Sequence, residues 1–117
     1  MPALESVDVK FEQNGMSFHA NLLKLENAIL IFFYEGSKKL GTVAVAMPGV
    51  GEEKAGRSSV LVGAKCFTAS RSLAERAAGA FGKMAIASFN TTIEEGEALR
   101  IYFKLFEDLR KSCSISQ

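Results

Sequence analysis

The sequence predicts an α+β domain: one mostly antiparallel sheet of about six strands with two helices on one face, in the order β-β-β-β-β-α-β-α. Three observations predict it. Apolar and polar residues alternate with period two through the first half, an Asn-Gly pair divides the first alternating run, and helical periodicity appears only in the second half.

In the first strand, Val7, Val9 and Phe11 alternate with Asp8, Lys10 and Glu12, the pattern of a half-buried strand. Asn14-Gly15 then marks a two-residue hairpin turn, because both residues tolerate positive φ. That turn sets Phe11 opposite Phe18, Val9 opposite Ala20 and Val7 opposite Leu22, so apolar residues meet apolar ones. Lys10 meets His19, Asp8 meets Asn21 and Glu12 meets Ser17 on the other face. A third strand is expected over Ala28 to Glu35, after a turn at Glu26-Asn27. A fourth, Leu40 to Met47, follows the short turn Gly36-Ser37-Lys38-Lys39, and a fifth covers Ser59 to Val62. The segment "TASRSLAERAAGAFGK" reads as a helix with Thr68, Ser70 and Ser72 as rival N-caps. Ser72 and Glu75 form a possible capping box, and Gly82 can end the helix. Met84 to Phe89 is a sixth strand. A last helix is expected from Thr92, boxed with Glu95, to about Lys111. Arg100, Lys104, Glu107, Asp108 and Lys111 share one face of it, and Leu99, Tyr102, Phe103, Leu105, Phe106 and Leu109 form a broad apolar arc. Residues 1–111 therefore read as one domain and 112–117 as a short polar C-terminal tail.

Composition narrows the function. A chain of 117 residues with 48% hydrophobic content and nine Phe can bury a core without disulfides or metal. The 14 basic and 13 acidic residues nearly cancel and form no long basic run, which argues against nucleic acid and against an electrostatic membrane surface as partners. Two cysteines make no disulfide framework and fit a reducing compartment. The first ten residues carry no secretory pattern, and the longest apolar run, Ala28 to Tyr34, has seven residues. A cytoplasmic location, possibly also nuclear, is the expectation.

The two faces of the sheet carry the first functional signal. Val7, Val9, Phe11, Phe18, Ala20, Leu22, Ile29, Ile31, Phe33, Ala44 and Ala46 fall on one face, which two helices can cover. The opposite face is polar on the first two strands and then turns apolar, with Leu30, Phe32, Tyr34, Val43, Val45 and Met47. Strands apolar on both sides are normally buried on both sides, and no helix remains for the second. These six residues are therefore the expected partner interface, since an exposed patch of this kind marks an interaction site. The alternative is a sheet that closes on itself as a sandwich or half-barrel.

Candidate chemistry is sparse. "GEEKAGRS", Gly51 to Ser58, differs from a phosphate-cradling loop by one arginine. Such a loop needs a helix N-terminus after it, and here "SSVLVG" reads as a strand. Glu52 and Glu53 would repel a polyphosphate, and Arg57 does not reproduce lysine geometry. The stretch reads as a solvated connection. Cys66 before a helix is a possible activated thiol, but its only base would be His19, on the polar side of the hairpin. One His and two distant Cys do not make a metal site. Asn90-Thr91-Thr92 matches a glycosylation sequon but reads as a strand exit and helix cap. Arg100, Lys104, Arg110 and Lys111 form a basic cluster that either meets an acidic partner or is simply solvated. No cofactor and no catalytic residue is expected.

Ala44-Val45-Ala46-Met47, Ser72-Leu73-Ala74-Glu75-Arg76 and Ile86-Ala87-Ser88-Phe89-Asn90, in this order between a loop, a strand and a final amphipathic helix, resemble the proteasome assembly chaperone 4 family. The likeness runs from about Phe18 to Leu109. It implies a non-enzymatic chaperone with an antiparallel sheet and helices. It also implies pairing with a related chaperone-3-type subunit, or a homodimer in isolation, and binding of proteasome α-subunits during α-ring assembly. Other proteasome chaperones and activators dock through a hydrophobic-Tyr-X tail. This chain ends Ile115-Ser116-Gln117, so that mode is not expected. The loop from Pro48 to Ser58 matches no part of the family pattern. A roadblock- or longin-like dimerisation module is the alternative, and a nucleotide- or thiol-dependent enzyme is the less favoured one.

Overall fold

A computed structural model of the chain describes residues 5–49, 57–63 and 66–115. Strands β1 (Glu5–Gln13), β2 (Met16–Lys24), β3 (Ala28–Glu35), β4 (Thr42–Met47) and β5 (Arg57–Val62) are followed by helix α1 (Phe67–Phe81), strand β6 (Met84–Asn90) and helix α2 (Glu95–Ile115). The order of elements and the α+β class are those expected from the sequence.

Asn14 and Gly15 both take positive φ, 54° and 77°, which matches the turn to the twist of the flanking strands. The resulting register pairs Val7 with Leu22, Val9 with Ala20 and Phe11 with Phe18, as the alternation requires. β2 continues into an antiparallel pair with β3.

The sheet then departs from a simple meander. Its order is β1-β2-β3-β6-β4-β5. β6 lies between β3 and β4, parallel to β3 and antiparallel to β4. The short turn after β3 therefore does not close a hairpin. Six residues, Gly36 to Gly41, separate β3 from β4. They have only to step across two strand spacings, about 10 Å, which is well within their reach. The vacancy is filled by β6 after α1 crosses the sheet. Gly41 makes that entry possible: a Cβ there would overlap the Phe89 carbonyl, and its N–H donates to the Ser88 hydroxyl at 2.9 Å.

Both helices lie on one face. α1 packs over β4 and β6, and α2 over β1 and β2. Under α1 the sheet presents Ala44, Ala46, Ala85 and Ala87, and the helix answers with Ala69, Ala74, Ala77 and Ala78, all without solvent exposure. Small residues on both sides bring backbone close to backbone. Under α2 the core is larger and aromatic. Tyr102 sits edge-on to Phe18, Phe33 and Phe89, with ring centroids 5.8, 5.7 and 5.0 Å away.

The helix starts differ from the expected ones. Thr68, Ser70 and Ser72 all lie inside α1, whose N-cap is Cys66 at φ 60° with no side-chain cap bond. The open N–H of Ala69 instead donates to the Glu95 carboxylate of α2 at 2.9 Å. α2 begins at Glu95 rather than Thr92, and the Glu94 carboxylate accepts from the Glu97 N–H at 3.0 Å. Thr92 is taken elsewhere: its hydroxyl and N–H both donate to Glu35 at the end of β3. Gly82 closes α1 in the left-handed region, as expected. α2 runs past Lys111 to Ile115 and buries Cys113.

Candidate functional site

The face of the sheet opposite the helices is built from side chains at alternating positions, and its rows follow from the register. One row runs Leu23, Leu30, Ile86, Val45 across β2, β3, β6 and β4. The next runs Asn21, Phe32, Ser88, Val43 and ends at Val62 on β5. Apart from Asn21 and Ser88 they form an apolar stripe across the middle of an open sheet whose two edges, β1 and β5, lie at opposite ends of the strand order. The sheet does not close into a sandwich or half-barrel among the described residues.

The six expected interface residues all lie on this face. Leu30, Phe32, Val43 and Val45 are half-buried, with no helix above them, and Met47 is 52% exposed. Tyr34 is different. It is 8% exposed because His19 stacks flat on it, with ring centroids 4.8 Å apart, while the Lys38 ammonium lies 5.9 Å from its ring centre. β6 supplies what reasoning from the sequence missed: Ile86 stands at the centre of the stripe, between Leu30 and Val45. The signal was present, since Met84, Ile86 and Ser88 alternate with the buried Ala85, Ala87 and Phe89. It could not be used until β6 had a place in the sheet.

On β1, and on β2 up to Asn21, the same face is polar. The Asn21 amide donates to Asp8 Oδ1 at 2.7 Å and to Ser6 Oγ at 3.1 Å, and Lys10 pairs with Glu12 at 3.1 Å. An apolar centre beside a satisfied polar margin is the anatomy of a protein–protein interface.

The remaining candidates do not assemble into a reaction centre. Gly51 to Gly56 of the loop resembling a phosphate cradle lie outside the described residues. Arg57 and Ser58 begin strand β5, so no helix N-terminus follows the loop. The Ser58 hydroxyl is bonded to the Glu75 carboxylate and accepts from Arg71 Nε at 3.1 Å. Cys66 packs against the helix-side core, whereas His19 lies on the open face. The sheet separates them. No group of three or more His, Cys, Asp or Glu that could hold a metal ion occurs among the described residues. Thr91, in the sequon, is 2% exposed and donates to Glu35 at 2.9 Å. No helix among the described residues is long and apolar enough to cross a membrane.

A groove of about 920 Å³ lies between α1 and α2, lined by Arg76, Phe103, Lys104, Glu107 and Arg110 among others. Its charges are largely internal. Arg110 Nη2 donates to Glu107 at 2.8 Å and, with the charges of Arg76 and Lys111, holds that carboxyl below its usual range. Arg76 stacks on Phe103 at 4.8 Å, Lys104 sits over the Phe11 ring at 5.1 Å, and Arg100 lies 3.8 Å from Glu97. Three of the four residues of the basic cluster thus already have partners on their own protein.

Fold and face define a small α+β domain with one sheet surface covered by helices and the other open. No protein-family model and no curated protein sequence matches the chain. Its fold, however, is similar to that of a chain in the crystal structure of a novel chaperone complex for yeast 20S proteasome assembly, with a TM-score of 0.63 and 14% identity over 95% of this chain and 96% of that one. At that identity the likeness is one of fold.

Proposed function

We propose that the protein is a non-enzymatic assembly chaperone for the 20S proteasome. In this reading it pairs with a related small chaperone through the open face of its sheet and binds proteasome α-subunits during α-ring assembly. The observation that carries the proposal is the fold shared from end to end with a chain of the yeast proteasome assembly chaperone complex. The stripe of Leu30, Phe32, Ile86, Val43 and Val45 is consistent with it, because nothing in the chain's own described fold covers that stripe. A standard interface buries about 800 Å² per partner, within what six strands about 4.8 Å apart present. Leu30, Phe32, Tyr34, Val43, Val45 and Met47 are the residues assigned to the contact.

Affinity capture followed by mass spectrometry tests the assignment, with sedimentation of the purified chain alongside. The expected result is proteasome α-subunits with a second small chaperone in the captured set, and a dimer in one of the two preparations. A monodisperse monomer that captures neither would overturn it. A captured set of small GTPases would point to a dimerisation module of the roadblock or longin type.

A further inference from the structure

The charges on the open face of the sheet do not balance. The carboxylates that alternate onto it from the described strands, Asp8 and Glu12, both have partners. Asp8 accepts from the Asn21 amide at 2.7 Å, and Glu12 pairs with Lys10 at 3.1 Å. Two cations are left over. Lys38, in the exposed segment between β3 and β4, brings its ammonium to 5.9 Å from the Tyr34 ring centre. Arg57 is exposed and stands directly opposite Met47, so it projects from the same face. Neither forms an ion pair among the described residues.

Their placement follows from the topology. β3 is parallel to β6 and β4 is antiparallel to it, so β3 and β4 run in opposite directions. Tyr34, near the end of β3, and Met47, at the end of β4, therefore lie at opposite ends of the apolar stripe, and a cation flanks each. His19 stacks flat on Tyr34, with ring centroids 4.8 Å apart, and the attraction of the ammonium to that ring draws Lys38 towards the face. Arg57 is fixed at its backbone by the ladder to β4.

We propose that the chain covering the open face is a different protein whose facing surface carries carboxylates, which meet Lys38 and Arg57 at the two ends of the apolar centre. The inference rests on the reading of this face as the partner contact and adds the chemistry of the partner. A neutral cover would take both cations out of water and return nothing, which is costly. A second copy of the chain would bring two more unpaired cations, and its own Asp8 and Glu12 are already engaged. Carboxylates instead turn the same burial into charge-assisted hydrogen bonds, and complementary charge selects one partner over another. Two cations separated by an apolar stripe do not follow the closely spaced phosphates of a nucleic acid.

The probe is the small partner chain recovered by the capture above, purified and titrated into the full chain at about 50 and about 500 mM sodium chloride. Binding is expected to be at least about tenfold weaker at the higher salt. Replacing both cations, Lys38→Glu with Arg57→Glu, should weaken it at least about tenfold at low salt and much less at high salt. Both side chains are exposed, so circular dichroism should be unchanged. Lys111→Glu, on the exposed side of α2, should bind as the wild type does. Binding that Ile86→Glu abolishes but that neither salt nor the double reversal changes would overturn the charge assignment and leave the face as the contact. Self-association of the wild-type chain as tight as its binding to the partner would also overturn the assignment. Binding that none of these changes affects would overturn both readings.

Discussion

Ile86 of β6 lies directly opposite Val45 of β4 and, on its other side, directly opposite Leu30 of β3. That position makes it the centre of the apolar stripe, where truncation or charge costs an interface most. A glutamate there leaves the helix-side core untouched, because Ile86 points away from α1. Ile86→Glu is expected to stay folded by circular dichroism and, if the open face is the contact proposed above, to weaken association with the partner by about 2 kcal/mol or more. Sedimentation equilibrium reads the change. Association at the wild-type strength would remove the stripe from the contact.

Why that residue escaped notice is a matter of range. The β1–β2 hairpin was fully legible, because turn chemistry and alternation at Asn14-Gly15 specify one register within twenty residues. Helix-facing positions such as Ala44 and Ile31 were legible for the same reason. The place of β6 is decided by contacts far apart in sequence, between Ile86 and both Leu30 and Val45, which no local pattern encodes. Helix caps failed similarly. Glu95 looked like a box partner for Thr92 but serves the Ala69 N–H of another helix, a tertiary bond that overrides local preference. Open-face residues on β3 and β4 were found because they are apolar where one-sided strands should be polar.

Tyr102 is fully enclosed by Phe18, Phe33 and Phe89, and its hydroxyl lies near Thr91 and Glu35 without a well-formed hydrogen bond. Burial, more than any other cause, raises its pKa above the ordinary phenol value, and the Thr91 hydroxyl opposes that rise. A raised folded pKa means that stability is fully present below the unfolded value, about 10, and is lost as pH climbs from there towards the folded value. The loss approaches about 1.4 kcal/mol per pH unit for one proton. Tyr102→Phe is expected to remove this part of the alkaline slope and to raise stability at neutral pH by up to about 2 kcal/mol. Urea midpoints at neutral and alkaline pH measure both effects. A strongly destabilised variant would show that the hydroxyl is well satisfied.

The alanine layer between α1 and the β4–β6 pair leaves no room for longer side chains. Ala87 and Ala74 are both without exposure, on elements that pack against each other. Ala87→Leu is expected to cost about 1–3 kcal/mol through overpacking, with α1 displaced from the sheet. The same substitution at Gly79, where a Cβ meets nothing within 4 Å, should be tolerated. Thermal unfolding of the two variants side by side gives the comparison. Equal tolerance would mean that the helix can move away at little cost.

Glu35 ends β3 and gathers the chain that leaves β6: it accepts from the Thr91 hydroxyl at 2.9 Å, from the Thr92 N–H at 2.9 Å and, through its second oxygen, from the Thr92 hydroxyl at 2.8 Å. These bonds hold the turn into α2, and α2 in turn supplies Glu95 to the first turn of α1. Hydrogen bonds to a charged acceptor are among the stronger ones, and Thr91 is buried, so its hydroxyl has no ready substitute. Glu35→Ala is expected to destabilise the fold by about 1–3 kcal/mol, whereas Glu35→Gln keeps an acceptor and should lose less. Amide exchange should quicken first at Thr92 and then at Ala69, two sites far apart in sequence that this relay connects. Faster exchange at Thr92 alone would show that the start of α1 is held independently of the turn.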